Sequence, residues 1–128
     1  MDDRYAAMAA VLQDYFDGLY HCDTKLLAKV FHPQARYACA TDVPAGGDLV
    51  HLGMDEYFPI VEKRVSPASR NEQRRDQIVS IEFAGPVTAL ARVHCAIGPK
   101  YFTDLLTFIL VDGRWQIISK VFHYDLME

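Results

Sequence analysis

From residue 75 onward, apolar and polar positions alternate along four runs, 75–84, 87–97, 101–111 and 114–124, separated by Gly85-Pro86, Gly98-Pro99-Lys100 and Asp112-Gly113. A period of two marks half-buried strands. Asp-Gly between two such runs predicts a two-residue hairpin, because both central residues of that turn need positive φ. Connections this short force antiparallel neighbours, so the C-terminal half reads as a long meander. Upstream the period changes. Tyr5, Met8, Ala9, Leu12, Tyr15, Phe16 and Leu19 recur at steps of three and four, which predicts a helix from a cap at Asp2 or Asp3 to about His21.

Asp23 suits the N-cap of a second helix carrying Leu26, Leu27 and Val30, and Pro33 ends it by pushing His32 out of the α region. Residues 35–41 and 49–52 read as a strand pair joined by Pro44-Ala45-Gly46-Gly47-Asp48. Residues 53–65 read as a third helix capped by Asp55, with Pro59 close enough to the start to be tolerated. The polar stretch 66–74 reads as a mobile loop. Helix, helix, hairpin, helix and four strands make an α+β layout, with a sheet covered by helices on one face.

Strand alternation sorts the sheet into two faces. The predicted concave, helix-facing set is Val79, Ile81 and Phe83; Ala89, Ala91, Val93 and Cys95; Phe102, Asp104, Leu106, Phe108 and Leu110; and Trp115, Ile117, Ser119, Val121 and His123. The predicted convex face still carries Leu90, Leu105, Ile118, Phe122 and Tyr124. That is more large apolar surface than an open sheet face leaves in water, so a homodimer through this face, with two-fold symmetry, is expected.

At 128 residues, residues 1–128 form one domain with enough chain for its own core. A formal net charge of −4 argues against a nucleic-acid partner, which clustered Lys and Arg would attract. The basic group Arg64, Arg70, Arg74 and Arg75 is interrupted by Glu72 and Asp76 and reads as a solvated loop. No apolar run approaches the roughly 20 residues that cross a bilayer. The acidic start Met1-Asp2-Asp3-Arg4 lacks the order of a signal peptide, and three cysteines without a CxxC pair make no disulfide framework. A cytoplasmic protein with reduced thiols is the expectation.

The segments Tyr15-Phe16-Asp17-Gly18-Leu19-Tyr20, Asp23, Phe31-His32-Pro33, Tyr101-Phe102-Thr103-Asp104-Leu105-Leu106, Asp112-Gly113-Arg114-Trp115-Gln116-Ile117 and Lys120-Val121-Phe122-His123 together resemble the nuclear-transport-factor-2-like superfamily. Within it, the chain is most similar to the bacterial family labelled putative lumazine-binding, related to polyketide-cyclase-like proteins. The resemblance covers essentially the whole chain. It implies a cone-shaped, cystatin-like fold, with three N-terminal helices packed on a curved, mainly antiparallel sheet. It also implies a small-molecule pocket and commonly a dimer. It settles no activity, since the superfamily includes isomerases, dehydratases, cyclases and binders without turnover.

Asp104 is the sharpest candidate for chemistry. Among Phe102, Leu106 and Phe108 its carboxyl would be desolvated, which suits a general acid or base, and some superfamily enzymes use an acidic residue on the cone wall. The alternative is a structural bond to a tyrosine hydroxyl or a backbone amide. His123 is the second catalytic candidate, as a proton shuttle or carbonyl-polarising group, against a structural histidine. Tyr15, His32, Tyr37, Tyr57, Phe102, Phe108 and Trp115 are the candidate ligand-binding residues. For the tyrosines and Trp115 the alternative is core packing, and for His32 a helix C-terminal contact. Lys120 falls on the predicted convex face, where a dimer ion pair outweighs imine chemistry. The histidines and cysteines lack metal-ligand spacing, so neither a metal nor a cofactor is expected. Three functions follow: a binder of a small apolar ring or acyl compound, for which the resembled family's label implies a pterin-like ring; a cofactor-free isomerase, dehydratase or cyclase built on Asp104; or a non-catalytic dimeric interaction module.

Overall fold

The computed structural model describes residues 3–41 and 45–127; Asp2, the alternative cap, and Pro44 of the first hairpin loop lie outside them. Three helices, α1 (Asp3–His21), α2 (Thr24–Val30) and α3 (Met54–Lys63), cover a six-stranded sheet. Its strands are β1 (Phe31–Ala40), β2 (Leu49–Gly53), β3 (Gln77–Phe83), β4 (Thr88–Ile97), β5 (Lys100–Val111) and β6 (Arg114–Leu126), in the order β2-β1-β6-β5-β4-β3. All neighbours are antiparallel except β1 and β6, which run parallel. This is the α+β architecture expected from the sequence.

The predicted turns are present. Asp112 and Gly113 have φ of 53° and 74°, the positive pair a tight hairpin demands. Asp23 caps α2, its carboxylate accepting from the Leu26 amide at 3.1 Å. Helix α1 meets α2 at Gly18, where a Cβ would come within 2.6 Å of Leu27 Cδ2, so only glycine lets the two approach. The α1 stripe supplies Met8, Leu12, Tyr15, Phe16 and Leu19 to the core, where Leu27, Phe31, Val61, Leu106, Phe108 and Ile117 meet them.

Several boundaries differ from the sequence reading. α3 begins after Gly53, not after an Asp55 cap; Glu56 Oε1 instead accepts from the Gly53 amide at 3.2 Å. β1 starts at Phe31 and tolerates Pro33, because its pairing with β6 is interrupted between Phe31 and Arg36 and no ladder bond is demanded of proline there. The stretch 66–74, expected to be mobile, contains a 3₁₀ turn at Ala68–Arg70 and is tied down. The Tyr20 hydroxyl donates to the Glu72 carbonyl at 2.6 Å, and the Gly98 amide donates to Glu72 Oε1 at 2.8 Å. Arg74 pairs with both Asp17 and Asp76 at 2.8 Å, so it is no free member of a basic patch.

The largest correction is a β-bulge in β6. Thr107 faces Ser119 but Phe108 faces Ile117, leaving Ile118 as the extra residue. One extra residue reverses which face every later side chain meets. Ser119, Val121 and His123, predicted inside, therefore lie on the outer face opposite Thr107, Leu105 and Thr103; Ser119 and Thr107 hydrogen-bond through their hydroxyls. Lys120, Phe122 and Tyr124, predicted outside, face the helices. A second bulge between Ile78 and Ser80 leaves Val79 45 % exposed while Ile78 packs on the core.

Candidate functional site

Asp104 sits on the inner face of β5, between Phe102 and Leu106, with no solvent exposure. Its Oδ2 accepts a 2.6 Å hydrogen bond from the Tyr15 hydroxyl on α1, and the Cys95 thiol lies 3.7 Å from the same oxygen. The bulge brings Lys120 to the same carboxylate oxygen. The ammonium is 3.9 Å from Oδ2, and only 5 % of the lysine is exposed. The Tyr57 hydroxyl on α3 accepts from the Lys120 Nζ at 3.4 Å.

Two opposite charges thus lie inside an apolar shell. Burial alone would lower the Lys120 pKa, yet the Asp104 carboxylate raises it above its ordinary value, so the ammonium is retained. Burial also drives up the Tyr15 and Cys95 pKa values, and the Asp104 charge adds to both, so the hydroxyl and thiol keep their protons. Among the described residues, Asp104 Oδ1 is the one buried side-chain oxygen or nitrogen without a hydrogen-bond partner. Such atoms are rare, and each calls for a reason.

The ammonium is enclosed by aromatic rings. Its nitrogen lies 5.2 Å from the centre of Tyr15, 5.5 Å from Tyr57, 5.4 Å from Phe122 and 5.8 Å from Tyr37. Ring faces stabilise a cation placed over them. From here an aromatic ladder leads outward: Tyr57 stacks on Tyr37 at 4.6 Å, Tyr37 meets Phe122 at 4.9 Å, Phe122 meets Phe102 at 5.7 Å, and Phe102 meets Tyr124 at 5.5 Å. Tyr124 is 40 % exposed, so the ladder runs from the buried charge to the rim.

The sequence candidates divide accordingly. Tyr15, Tyr57 and Tyr37 gather at Asp104, and Phe102 belongs to the ladder. Phe108 is core, packed deeper along β5. Trp115 meets Phe83 edge-on at the far end of the sheet and lines a separate cavity of about 330 Å³ with Lys29 and Arg114. His32 accepts from the Gln34 amide through Nδ1 at 3.0 Å and borders a groove of about 440 Å³ between α2 and α3. His123 does not join Asp104: it is on the outer face, 2.9 Å from Asp125 Oδ1. Lys120 is the residue sequence reasoning misplaced. The adjacent pair Ile117-Ile118, which breaks the alternation of β6, is the signal that could have found it. Among the described residues no cluster of His, Cys, Asp or Glu could hold a metal ion, and no helix is long and apolar enough to cross a membrane.

Comparisons with known proteins bear on this geometry. An aldolase, FrzH, of Cladobotryum sp is 25% identical over 123 residues, spanning 94% of this chain and 90% of that relative. An NTF2-like protein of unknown function from Shewanella baltica superposes with a TM-score of 0.82 at 25% identity, covering 96% of this chain and 94% of the other. A second, from Silicibacter pomeroyi, also gives 0.82, at 23% identity and 96% and 97% coverage. Residues 3–123 match the family model described as "Putative lumazine-binding". The chain belongs to this family, within the nuclear-transport-factor-2-like superfamily.

Proposed function

We propose that this protein takes a small, largely apolar carbonyl compound into the cone and moves protons beside that carbonyl. Asp104 exchanges the proton, and the Lys120 ammonium holds the oxygen on which negative charge develops. The observation that carries this reading is a buried carboxylate whose Oδ1 has no partner while its Oδ2 faces a buried ammonium at 3.9 Å. Burying an ion pair costs several kcal/mol per ion by desolvation, and apolar residues of similar volume are often as stable or more so. Strongly desolvated charge partners of this kind are concentrated at functional sites. The aldolase relative supports the same chemistry, since aldol reactions pass through a carbanion stabilised by a neighbouring carbonyl.

A second reading, binding without turnover, draws on the family description and on the Tyr57–Tyr37 stack. A flat pterin-like ring would extend that stack. The two readings separate in heavy water. Wild-type protein should speed deuterium exchange at the carbon next to the carbonyl of an aryl-substituted butanone, and Asp104→Asn should abolish the effect. Tight lumazine binding with no exchange of any ketone would leave only the binder.

The homodimer also stands as part of this proposal, on a corrected face. Leu90, Leu105, Ile109 and Val121, not Phe122 and Tyr124, form the outer apolar surface, beside a groove of about 360 Å³ bordered by Arg92, Thr103 and His123. Wild-type protein should sediment as a dimer and Leu105→Glu as a monomer. Monomeric wild type at micromolar concentration would remove the dimer from the proposal.

A further inference from the structure

We propose that the compound recognised at Asp104 and Lys120 is a β-hydroxycarbonyl, whose hydroxyl donates to Asp104 Oδ1 and whose carbonyl oxygen accepts from Lys120 Nζ. This inference rests on the proton-transfer reading and names its substrate class. Among the described residues, the site offers one buried acceptor with no donor and one ammonium whose three hydrogens meet a single hydrogen-bond acceptor, Tyr57, at 3.4 Å, with Asp104 Oδ2 farther off at 3.9 Å. A simple ketone would satisfy the ammonium and leave Oδ1 alone. A carboxylate would set a second negative charge against Asp104. A β-hydroxycarbonyl carries a donor and an acceptor on carbons two apart, so both reach neighbouring partners at once.

The same two contacts drive cleavage. Asp104 Oδ1 takes the hydroxyl proton, and the O–H pair becomes the C=O bond of the released aldehyde or ketone. The bond between the α and β carbons breaks, and its electrons pass into an enolate whose oxygen rests on the Lys120 ammonium. Asp104 then returns the proton to the α carbon. One molecule yields two carbonyl compounds with no oxidant, reductant or metal in the balance, and the reverse sequence is aldol addition. Tyr15 and Tyr57 are positioning residues here: the Tyr15 hydroxyl occupies Oδ2 and so leaves Oδ1 to the substrate, while Tyr57 holds Nζ.

The probe is 4-hydroxy-4-(6-methoxy-2-naphthyl)-2-butanone, which releases a fluorescent aldehyde on cleavage, set against its 4-O-methyl ether and the 4-deoxy ketone. Hydrogen bonds to charged groups contribute about 1.5–3 kcal/mol. The hydroxy compound should therefore bind about tenfold or more tightly than the ether, and it alone should be cleaved. Asp104→Asn, checked for folding by circular dichroism, should lower cleavage at least a hundredfold. Equal binding of hydroxy compound and ether overturns the inference; continued deuterium exchange into the deoxy ketone would show that proton transfer itself still holds. Tighter binding of the hydroxy compound without cleavage also overturns it. So does a borohydride-trapped adduct on Lys120, because the lysine would then be acting as a nucleophile.

Discussion

Tyr15 and Asp104 stand 89 positions apart in the chain, yet the tyrosine hydroxyl donates to the carboxylate at 2.6 Å in the middle of the cone. The bond links α1 to β5, so it joins the helical layer to the centre of the sheet. Tyr15 is wholly buried, and its ring also packs edge-on against Phe31 at 5.9 Å. Tyr15→Phe keeps that packing and removes only the donor. Leaving a buried acceptor short of a partner costs about 1–3 kcal/mol, and more when it is charged. Urea denaturation should show a loss at the upper end of that range with an unchanged m-value, since the fold buries the same surface.

The Asp104–Lys120 pair should behave as a unit. Lys120→Met leaves a buried carboxylate without its counter-charge, and Asp104→Leu leaves a buried ammonium. Breaking a buried pair from one side costs about 3–5 kcal/mol. The double variant Asp104→Leu/Lys120→Met removes both charges and should be more stable than either single variant, and close to wild type. Any turnover of carbonyl compounds should be lost in all three. A double variant whose destabilisation equals the sum of the singles would mean that the two charges do not interact.

Stability should be flat around neutral pH and fall at alkaline pH. Lys120 has a folded pKa above its ordinary 10.5, so its contribution is complete below that value and is lost as pH rises through the folded pKa. Tyr15 has the same sign: above its ordinary value of 10.0 the unfolded chain gives up a proton that the folded chain keeps. Each group in that window contributes a slope of about 1.4 kcal/mol per pH unit. Thermal melts between pH 9 and 11.5 should show the decline, and Tyr15→Phe should make it shallower. At the acid end Asp17 acts oppositely. Partial burial opposes its charge, but Arg74 and Gln13 hold its pKa below 3.8, so its contribution fades as pH falls through the folded value.

The fold was legible because its signals are local. Asp112-Gly113 specifies its own hairpin, and the α1 stripe needs only the helical period. The inner placement of Asp104 also followed from alternation, since no bulge interrupts β5 against β4. What failed was alternation carried past Ile118. A strand that gains one residue keeps its composition and reverses its faces, and nothing nearby in sequence reports the change except two adjacent isoleucines. The ordered stretch 66–74 was hidden for another reason: Tyr20, Asp17 and Gly98, which hold it, come from other parts of the chain.

Two neighbouring residues test the reversed faces. Phe122 touches Tyr37 and Phe102, whereas His123 is exposed and bonds only Asp125 among the described contacts. His123→Ala should change stability by less than about 0.5 kcal/mol, as surface substitutions do. Phe122→Ala removes a half-buried ring and should cost about 2 kcal/mol, below the 3–5 kcal/mol of a fully buried phenylalanine. Strict alternation through β6 predicts the opposite ranking, so the order of the two denaturation midpoints decides between them.

The bulge makes a less intuitive demand on deletions. With Ile118 as the extra residue, Ile117 points inward, Ser119 outward and Lys120 inward. Deleting Ile118 alone leaves that sequence of faces intact and merely regularises the ladder. Lys120 should still reach Asp104, at the loss of one partly buried isoleucine and some local twist. Deleting Ile118 and Ser119 together places Lys120 directly after Ile117 and turns it outward, bringing Val121 and His123 into the cone and sending Phe122 out of it. An unpaired buried carboxylate and a dismantled aromatic ladder would then coincide. The single deletion should fold cooperatively with a moderately lowered Tm, and the double deletion should give no cooperative melt. If the larger deletion were the milder one, the register of β6 described here would be wrong.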